Sequence, residues 1–264
     1  MKIDVEDIIR SKTKGYVPKF LINLLKKIVH QDEINECIEK NPDSTGVDFA
    51  CVTLDFLSVS TSVEGLENIP KGEKLIFVAN HPLGAIEALA ITKHLGEVFD
   101  KNINFIINEL LGYFKPLKNI FTSVNVGVGK QNRENIALVD ELFLSDKQII
   151  IFPAGQVSRK KRGKIEDAEW KKMFVTKARQ YQRNVVPIFC SGKNSNFFYN
   201  LANFRKFIGL KFNIELLFLP HEMFKNRNSQ INITIGKPIS YKDFSNPKND
   251  LEYAQEVRKM VYSL

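Results

Sequence analysis

Short, continuous apolar segments alternate along this chain with stretches of helical periodicity, and this alternation restricts the possible folds more than any other feature. The apolar segments occupy residues 52–61, 75–80, 103–108, 124–128, 148–153, 185–190, 214–220 and 231–236. Helices are predicted at about 84–95, 132–144, 168–182 and 197–208, and after residue 250. Apolar strands separated by helices are typical of a sheet covered on both faces. We therefore predict an α/β fold, a three-layer mixed sheet with helices on both faces.

The N-terminal part of the chain has a different pattern. Residues 16–29 form an amphipathic helix with lysines around an apolar face made of Phe20, Leu21, Leu24, Leu25 and Ile28. A second helix is predicted to end at Asn41-Pro42, because the residue before a proline avoids the α region. We assign residues 1–45 to an N-terminal helical segment and residues 46–264 to the main domain.

The charge of the chain favours an anionic partner. It carries 38 Lys and Arg against 30 Asp and Glu, a formal net charge of +8 at pH 7. Nucleic acid, an acidic carrier protein and a membrane surface all fit such a balance. The chain also has 20 Phe against a single Trp, so we expect some Phe to face lipid.

The expected location is the cytoplasm. No apolar run reaches the ~20 residues that a bilayer span needs. The acids Asp4, Glu6 and Asp7 lie where a signal peptide has a basic region. The three cysteines lack metal-ligand spacing and are interpreted as reduced thiols.

One histidine lies where an α/β fold places its chemistry. His81 directly follows the apolar segment at 75–80 and precedes a predicted helix. Glu87 falls near the first turn of that helix, so its carboxylate can reach back to the ring, and Gly84 leaves room for close approach. A carboxylate that accepts one ring N–H leaves the other ring nitrogen free to take a proton. The alternative is that Asn80 and His81 only cap the helix.

Two further groups of residues follow predicted strands. Phe152, Pro153 and Gly155 lead into a segment, 159–164, in which five of six residues are basic. A glycine at a strand exit exposes backbone N–H groups, and cations beside it make an anion site, although such a run can also be a solvated loop. After the strand at 185–190, an aromatic and basic stretch at 197–208 has the pattern of a helix that packs on the core or contacts a membrane.

Several familiar motifs are absent. The Gly127-Val128-Gly129 segment has Asn132 in place of the third glycine of a dinucleotide loop. There is no G-x-S-x-G elbow and no H-E-x-x-H motif. Nucleotide binding, serine hydrolase chemistry and a zinc site are therefore disfavoured.

The motifs, in this order, resemble those of the PlsC-type glycerolipid (lysophospholipid) acyltransferase superfamily over residues 63–239. That family has an N-H-x-x-x-x-D block, and Asn80, His81 and Glu87 stand in its places, with the acid one residue later. The longer spacing resembles the hemolysin-like or ornithine-lipid branch, whose block reads N-H-P-x-G-x-x-D. The F-P-E-G-T-R-S block corresponds to residues 152–158, with Ala154 and Val157 replacing the glutamate and the arginine.

A later part of the chain also resembles the ornithine-lipid branch. Val186-Pro187 matches the V-P block of the superfamily. Gly192, Asn194 and Ser195, followed by Phe198-Tyr199, resemble the G-x-N-S-x-x-F-Y pattern of that branch.

The resemblance implies an O-acyltransferase in which His81 is the general base and Glu87 orients it. The acceptor hydroxyl of a lysolipid would attack the thioester of an acyl carrier protein or coenzyme A conjugate, a co-substrate, and no cofactor or metal is expected. The predicted substrate-binding residues are Asn80, Gly84, Lys130, Arg133, Phe152, Pro153, Gly155, Ser158, Arg159, Gly192, Asn194 and Ser195.

The departures from the family pattern bear on the acceptor. Where relatives that use lysophosphatidate have phosphate-binding arginines, this chain has VNVGVGK with Lys130 and Arg133 only nearby. We therefore predict a lyso-aminolipid, an N-acyl amino acid with a free hydroxyl, whose carboxylate meets Lys130, Arg133 or Arg159.

The helix at 16–29 resembles the membrane-docking helices of the family. This implies a peripheral enzyme on the inner face of an anionic cell membrane, with no nucleic acid partner expected. Two alternatives remain. Ala154 and Val157 are compatible with an inactive lipid-binding relative, and the cations at 159–164 with a nucleic-acid-binding module.

Overall fold

The N-terminal quarter of the protein is helical. The computed structural model describes residues 2–12, 15–108, 112, 114–124, 133–245 and 248–264. Four helices come first: α1 (Val5–Lys12), α2 (Lys19–Ile28), α3 (Gln31–Lys40) and α4 (Val47–Phe56). The predicted helices at 16–29 and up to about residue 40 are therefore confirmed as α2 and α3.

Strands and helices then alternate. The strands are β1 (Ser60–Glu64), β2 (Leu75–Ala79), β3 (Ile103–Asn108), β4 (Phe121–Val124), β5 (Gln148–Ile151), β6 (Arg159–Lys161), β7 (Lys164–Glu166), β8 (Asn184–Cys190) and β9 (Gln230–Ile235). The helices are α5 (Ile86–Val98), α6 (Arg133–Leu144), α7 (Met173–Tyr181), α8 (Asn196–Phe207), α9 (Leu219–Lys225) and α10 (Asp250–Val261). Residues 125–128 of the predicted strand at 124–128 lie outside the described residues.

The main sheet is mixed. Within the described residues it has seven strands in the order β1-β9-β8-β2-β5-β3-β4. Neighbouring strands are parallel except for β8 and β9, which are antiparallel. Strands β6 and β7 form a separate antiparallel hairpin. The parallel strands β8, β2 and β5 are adjacent, so the segments that follow them meet at one edge of the sheet.

Helices cover both faces of the sheet. Every residue of β2 is buried. Leu75, Phe77 and Ala79 belong to a first core cluster with side chains of α3, α4 and α5, whereas Ile76 and Val78 belong to a second core cluster with α6, α7 and α10. Such two-sided burial explains why the strand is apolar without alternation. The predicted three-layer α/β fold is confirmed.

Two predicted strands are wrong. Much of 52–61 is the end of α4, which buries Val47, Ala50 and Leu54 on one helical face, and the strand β1 begins only at Ser60. The segment 214–220 is a 3₁₀ turn, Ile214–Phe218, followed by α9. A proline lies in the first turn of α9, where its missing N–H costs no helical hydrogen bond.

The N-terminal helices are only partly buried. Ile22, Cys37 and Ile38 are buried, and the two residues of α3 belong to the first core cluster. The side chains of Phe20 and Leu24 on α2 are exposed. The predicted division at residue 45 stays a prediction. Of the helices in the described ranges, none combines the length and apolar character needed to cross a bilayer.

Candidate active site

His81 and Glu87 form a hydrogen-bonded pair at the carboxyl end of β2. His81 Nδ1 lies 2.9 Å from Glu87 Oε1. The Glu87 side chain is 0% exposed, and that of His81 is 15% exposed. An ionised carboxylate can only accept, so Nδ1 carries the proton and the neutral ring keeps its lone pair on Nε2. The pair is therefore arranged to take a proton at Nε2.

The turn between β2 and α5 holds the carboxylate in place. Glu87 Oε1 also accepts the backbone N–H of Leu83 at 2.9 Å and of Gly84 at 2.8 Å. Gly84 has a φ of +100°, and a Cβ there would lie 2.8 Å from Leu219 Cδ2. Glycine is thus required both for the backbone conformation and for the close approach of α9.

Glu87 remains ionised although it is buried. Burial by itself raises the pKa of this carboxyl group. The hydrogen bond from His81, together with the N–H groups of Gly84 and Leu83, outweighs burial and holds the pKa of Glu87 below its ordinary value. The negative charge that would stabilise an imidazolium is therefore present at neutral pH.

The segment after β5 packs against the histidine ring. Phe152 stacks on His81 with ring centroids 4.1 Å apart and planes 17° apart. Phe105 on β3 packs behind Phe152 at 6.1 Å. Pro153 is buried, and its carbonyl accepts the N–H of Lys171 at 3.0 Å. These contacts fix the plane of the imidazole.

The backbone N–H groups of Gly84 and Gly155 are both used within the protein. The Gly84 N–H donates to Glu87, and the Gly155 N–H donates to Phe152 O at 2.9 Å. Neither is left for an oxyanion. The family positions of glutamate and arginine hold Ala154 and Val157, which are buried in the second core cluster and against Phe198 and Tyr199, respectively.

Asp167 holds the backbone of His81 and was missed at the level of sequence. Asp167 Oδ1 accepts the His81 N–H at 3.2 Å and the Ser158 hydroxyl at 2.6 Å. Its Oδ2 accepts Trp170 Nε1–H at 2.9 Å. Ser158 in turn donates its backbone N–H to His81 O at 2.7 Å. An acid between a basic segment and the single Trp was the only signal for this role.

Asn80 joins the ends of β2 and β8. Its Oδ1 accepts the Cys190 N–H at 2.7 Å, and its Nδ2 donates to Cys190 O at 2.9 Å. The geometry therefore gives Asn80 a positioning role, and its substrate contact stays a prediction.

The segment after β8 contacts the His81 turn. Gly192 has a φ of +114°, and a Cβ there would lie 2.8 Å from Leu83 Cδ1. Asn194 is buried, donates its N–H to Tyr199 Oη at 3.0 Å and lies with Nδ2 3.4 Å from Pro82 O. Among the described residues, no donor reaches Asn194 Oδ1. This acceptor is therefore buried and unpaired within the described chain.

Ser195 is used in capping α8. Its Oγ accepts the Phe198 N–H at 3.4 Å and donates to Glu222 Oε1 at 2.7 Å. Its backbone N–H donates to Glu222 Oε2 at 2.6 Å. The neighbouring Asn194, rather than Ser195, retains an unpartnered polar atom.

Arg159 does not provide the open cation that the sequence led us to expect. It is 7% exposed, and its Nη2 pairs with Glu215 Oε1 at 3.1 Å. Glu215 is shared with Arg205, whose Nε lies 2.9 Å from Oε2. Burial lowers the pKa of Arg159. The charge of the guanidinium is paired inside the protein, because a buried charge requires a partner, although no acceptor among the described residues reaches its Nε. A direct contact with an acceptor carboxylate is therefore not supported.

The other two predicted anion-binding residues lie wholly or partly outside the described part of the chain. Lys130 lies outside the described residues, as does the rest of the segment 125–132. Arg133 begins α6, and only its backbone is described.

The family follows from comparison with known proteins. A family model described as "Acyltransferase" matches residues 9–264. The chain belongs to this acyltransferase family.

Two relatives are named lyso-glycine lipid O-acyltransferase. The protein of Bacteroides thetaiotaomicron is 43% identical over 99% of this chain and 97% of the relative, and that of Phocaeicola vulgatus is 42% identical over 99% and 95%. The predicted enzyme class is confirmed, and both names agree with acyl transfer to a lysolipid hydroxyl.

A solved structure shares the fold of this acyltransferase. The 1-acyl-sn-glycerophosphate (LPA) acyltransferase PlsC of Thermotoga maritima matches with a TM-score of 0.51 at 20% identity, over 98% of this chain and 87% of that one. The fold that the resemblance to PlsC-type enzymes implies is therefore confirmed.

Proposed function

We propose that this acyltransferase moves a fatty acyl group from a thioester donor to the free hydroxyl of a lyso-aminolipid, with N-(3-hydroxyacyl)glycine as the first candidate acceptor. The observation that carries the chemistry is the His81–Glu87 hydrogen bond of 2.9 Å. The candidate acceptor is supported by the names of two relatives that match almost the whole chain.

The reaction proceeds without an acyl-enzyme. His81 Nε2 takes the hydroxyl proton as the acceptor oxygen attacks the thioester carbonyl. The C–O bond forms, the C–S bond breaks, and the imidazolium returns the proton to the leaving thiolate. Glu87 stabilises the imidazolium in between. The buried Cys190 is unsuited as a nucleophile, because burial raises its pKa well above the ordinary value.

Asn194 is suited to recognise the amide of an aminolipid. Its buried Oδ1 lacks a donor within the described chain, and its Nδ2 lies beside Pro82, the residue next to His81. An N-acyl amino acid has an amide N–H that can fill this position, whereas lysophosphatidate has none. A site with a buried acceptor disfavours a ligand that leaves the acceptor unpaired.

The enzyme works at the inner, cytoplasmic surface of an anionic membrane in this proposal, because its acceptor is a lipid. Helix α2 supports docking by exposing Phe20, Leu21 and Leu24 together with the cations Lys19 and Lys27. Lys26 differs, since its Nζ pairs with Asp4 at 3.0 Å. Each cation near anionic lipid contributes roughly 1 kcal/mol, so docking by α2 relies mainly on its apolar face.

The test is thiol release from acyl carrier protein and coenzyme A donors with three acceptors: N-(3-hydroxyacyl)glycine, its ornithine counterpart and lysophosphatidate. His81→Ala should lower turnover by about 10²–10⁴-fold while the protein remains folded. His94→Gln is the matched control, since His94 lies on α5 and its ring bonds Thr61 instead of Glu87.

Three results would contradict the proposal. Exclusive use of lysophosphatidate would remove the aminolipid acceptor. Near-normal turnover by folded His81→Ala would remove the mechanism. Lipid binding without thiol release would identify an inactive lipid-binding relative.

A further inference from the structure

A group of apolar side chains is exposed at the end of α8 and in the loop that follows. This aromatic loop, residues 204–212, leaves Phe207 87% and Phe212 63% exposed. Phe204, Ile208 and Leu210 are exposed beside them. Single exposed apolar residues are ordinary on a protein surface, but several in one short segment mark a contact site.

Cations surround these side chains. Residues 191–214 contain no Asp or Glu, and Lys206 and Lys211 are exposed within the aromatic loop. The β6–β7 hairpin, with Lys161 and Arg162 exposed, packs against α8, where Asn203 Nδ2 donates to Lys160 O at 3.4 Å. An apolar centre with a cationic edge is complementary to an anionic lipid surface.

The aromatic loop is held in place without burying its Phe side chains. Gly209, with a φ of +72°, donates its N–H to Lys206 O at 3.1 Å. Leu210 N–H donates to Arg205 O at 3.1 Å, and Arg205 Nη1 donates to Leu210 O at 2.9 Å. Arg205 is itself paired with buried Glu215. A loop fixed in advance loses less entropy when it binds.

The loop belongs to the same part of the molecule as the candidate active site. Phe197 of α8 packs edge-to-face on Phe218 at 5.1 Å. The next residue, Leu219, lies against Gly84 of the His81 turn. Helix α2 packs against the same 3₁₀ turn, Ile214–Phe218. The aromatic loop and α2 therefore adjoin a common element that reaches the His81 turn.

We propose that the aromatic loop is a second membrane-contact element, separate from α2. Phe207 and Phe212 enter the acyl region of an anionic bilayer, and Lys206, Lys211 and the hairpin cations meet the headgroups. This contact turns the His81 side of the enzyme toward the lipid phase. The inference rests on the proposed function only in taking a membrane lipid as the acceptor.

The test uses flotation with vesicles of phosphatidylglycerol and phosphatidylcholine. The double variant Phe207→Ser/Phe212→Ser should bind at least about tenfold more weakly, since each buried Phe contributes strongly to partitioning. The matched control is Leu144→Ser/Met260→Ser, whose side chains are 67% and 48% exposed on helices of the second core cluster. This control should bind like the unmodified protein. Both pairs are exposed, so neither change should unfold the protein.

A fluorescent reporter locates the contact. The single Trp170 is fully buried, so Phe207→Trp adds one exposed indole. Its emission should shift to the blue on vesicle addition and be quenched by brominated acyl chains, and that of Leu144→Trp should not change.

Equal binding by the loop variant, or an unshifted Phe207→Trp emission, would overturn the inference. The inference would also be overturned if the unmodified protein forms a dimer and does not bind vesicles, and the loop variant no longer dimerises. The exposed face would then bind a second copy of the chain. Turnover of the unmodified enzyme with a detergent-dispersed acceptor separates the two proposals. If the enzyme shows no turnover but the indole of Phe207→Trp still enters the bilayer, the proposed function is rejected and the membrane contact is retained.

Discussion

Asp167 and His81 are 86 residues apart in the chain, yet Asp167 Oδ1 accepts the backbone N–H of His81 at 3.2 Å. Ser158 completes the arrangement, because its hydroxyl donates to the same oxygen and its N–H donates to the His81 carbonyl. Both backbone polar groups of His81 are thus held by the chain that leads through the β6–β7 hairpin. The orientation of the imidazole depends on this support as well as on Glu87.

Asp167→Asn should therefore affect both stability and rate. The single amide oxygen of Asn can accept either the His81 N–H or the Trp170 Nε1–H. Its NH₂ group then faces the other of these two donors. We expect a loss of about 1–3 kcal/mol in the free energy of unfolding and a fall in kcat larger than any change in KM. Asp146→Asn, at an exposed ion pair with Lys74, is the control. A variant with normal kcat and reduced stability would limit Asp167 to a structural role.

The lowered pKa of Glu87 predicts a dependence of stability on acid. The unfolded chain, with a pKa near 4.5, takes up this proton at a higher pH than the folded protein does. The contribution of ionised Glu87 is therefore complete above the unfolded pKa and is lost as the pH falls through the folded pKa. Urea denaturation between neutral pH and about pH 3 should show a steeper loss for the unmodified protein than for Glu87→Gln. Parallel curves would contradict this assignment.

Gly84→Ala should disturb the turn that holds Glu87. The new Cβ would meet Leu219 Cδ2 at 2.8 Å and Val157 Cγ2 at 3.1 Å, at a φ of +100°. We expect a loss of about 1–3 kcal/mol in stability and reduced turnover. Gly72→Ala is a matched control, because its φ is +74° and no atom lies within 4 Å of the Cβ position. Equal effects of the two changes would show that backbone strain alone is responsible.

Asn194→Ala should change the choice of acceptor. Loss of the buried Oδ1 removes a hydrogen bond to the acceptor amide, so kcat/KM for N-(3-hydroxyacyl)glycine should fall about tenfold. An analogue with an ester oxygen in place of the amide N–H should be used equally well by the variant and the unmodified enzyme. An equal decrease with both acceptors would show that Asn194 only supports the Pro82 turn.

Much of the site was predictable from local patterns. The apolar run 75–79 identifies a strand buried on both faces, and the six-residue spacing of His81 and Glu87 allows their contact across one turn. The segment 214–220 was misread because an apolar run of seven residues fits a strand as well as a turn and helix. Its buried acid, Glu215, gave no sign of the two arginines that share it.

The sequence by itself determined the layered α/β fold, the family and the histidine-carboxylate pair, because these depend on periodicity and on contacts within a few residues. Only the tertiary structure decided that Asp167 supports His81 across 86 residues and that Arg159 is neutralised by Glu215 across 56. Hydrogen bonds of this range depend on how separate strands and loops converge at one sheet edge. A local pattern cannot encode that convergence, and for this reason an arginine that the sequence presents as an open cation is buried and ion-paired in the structure.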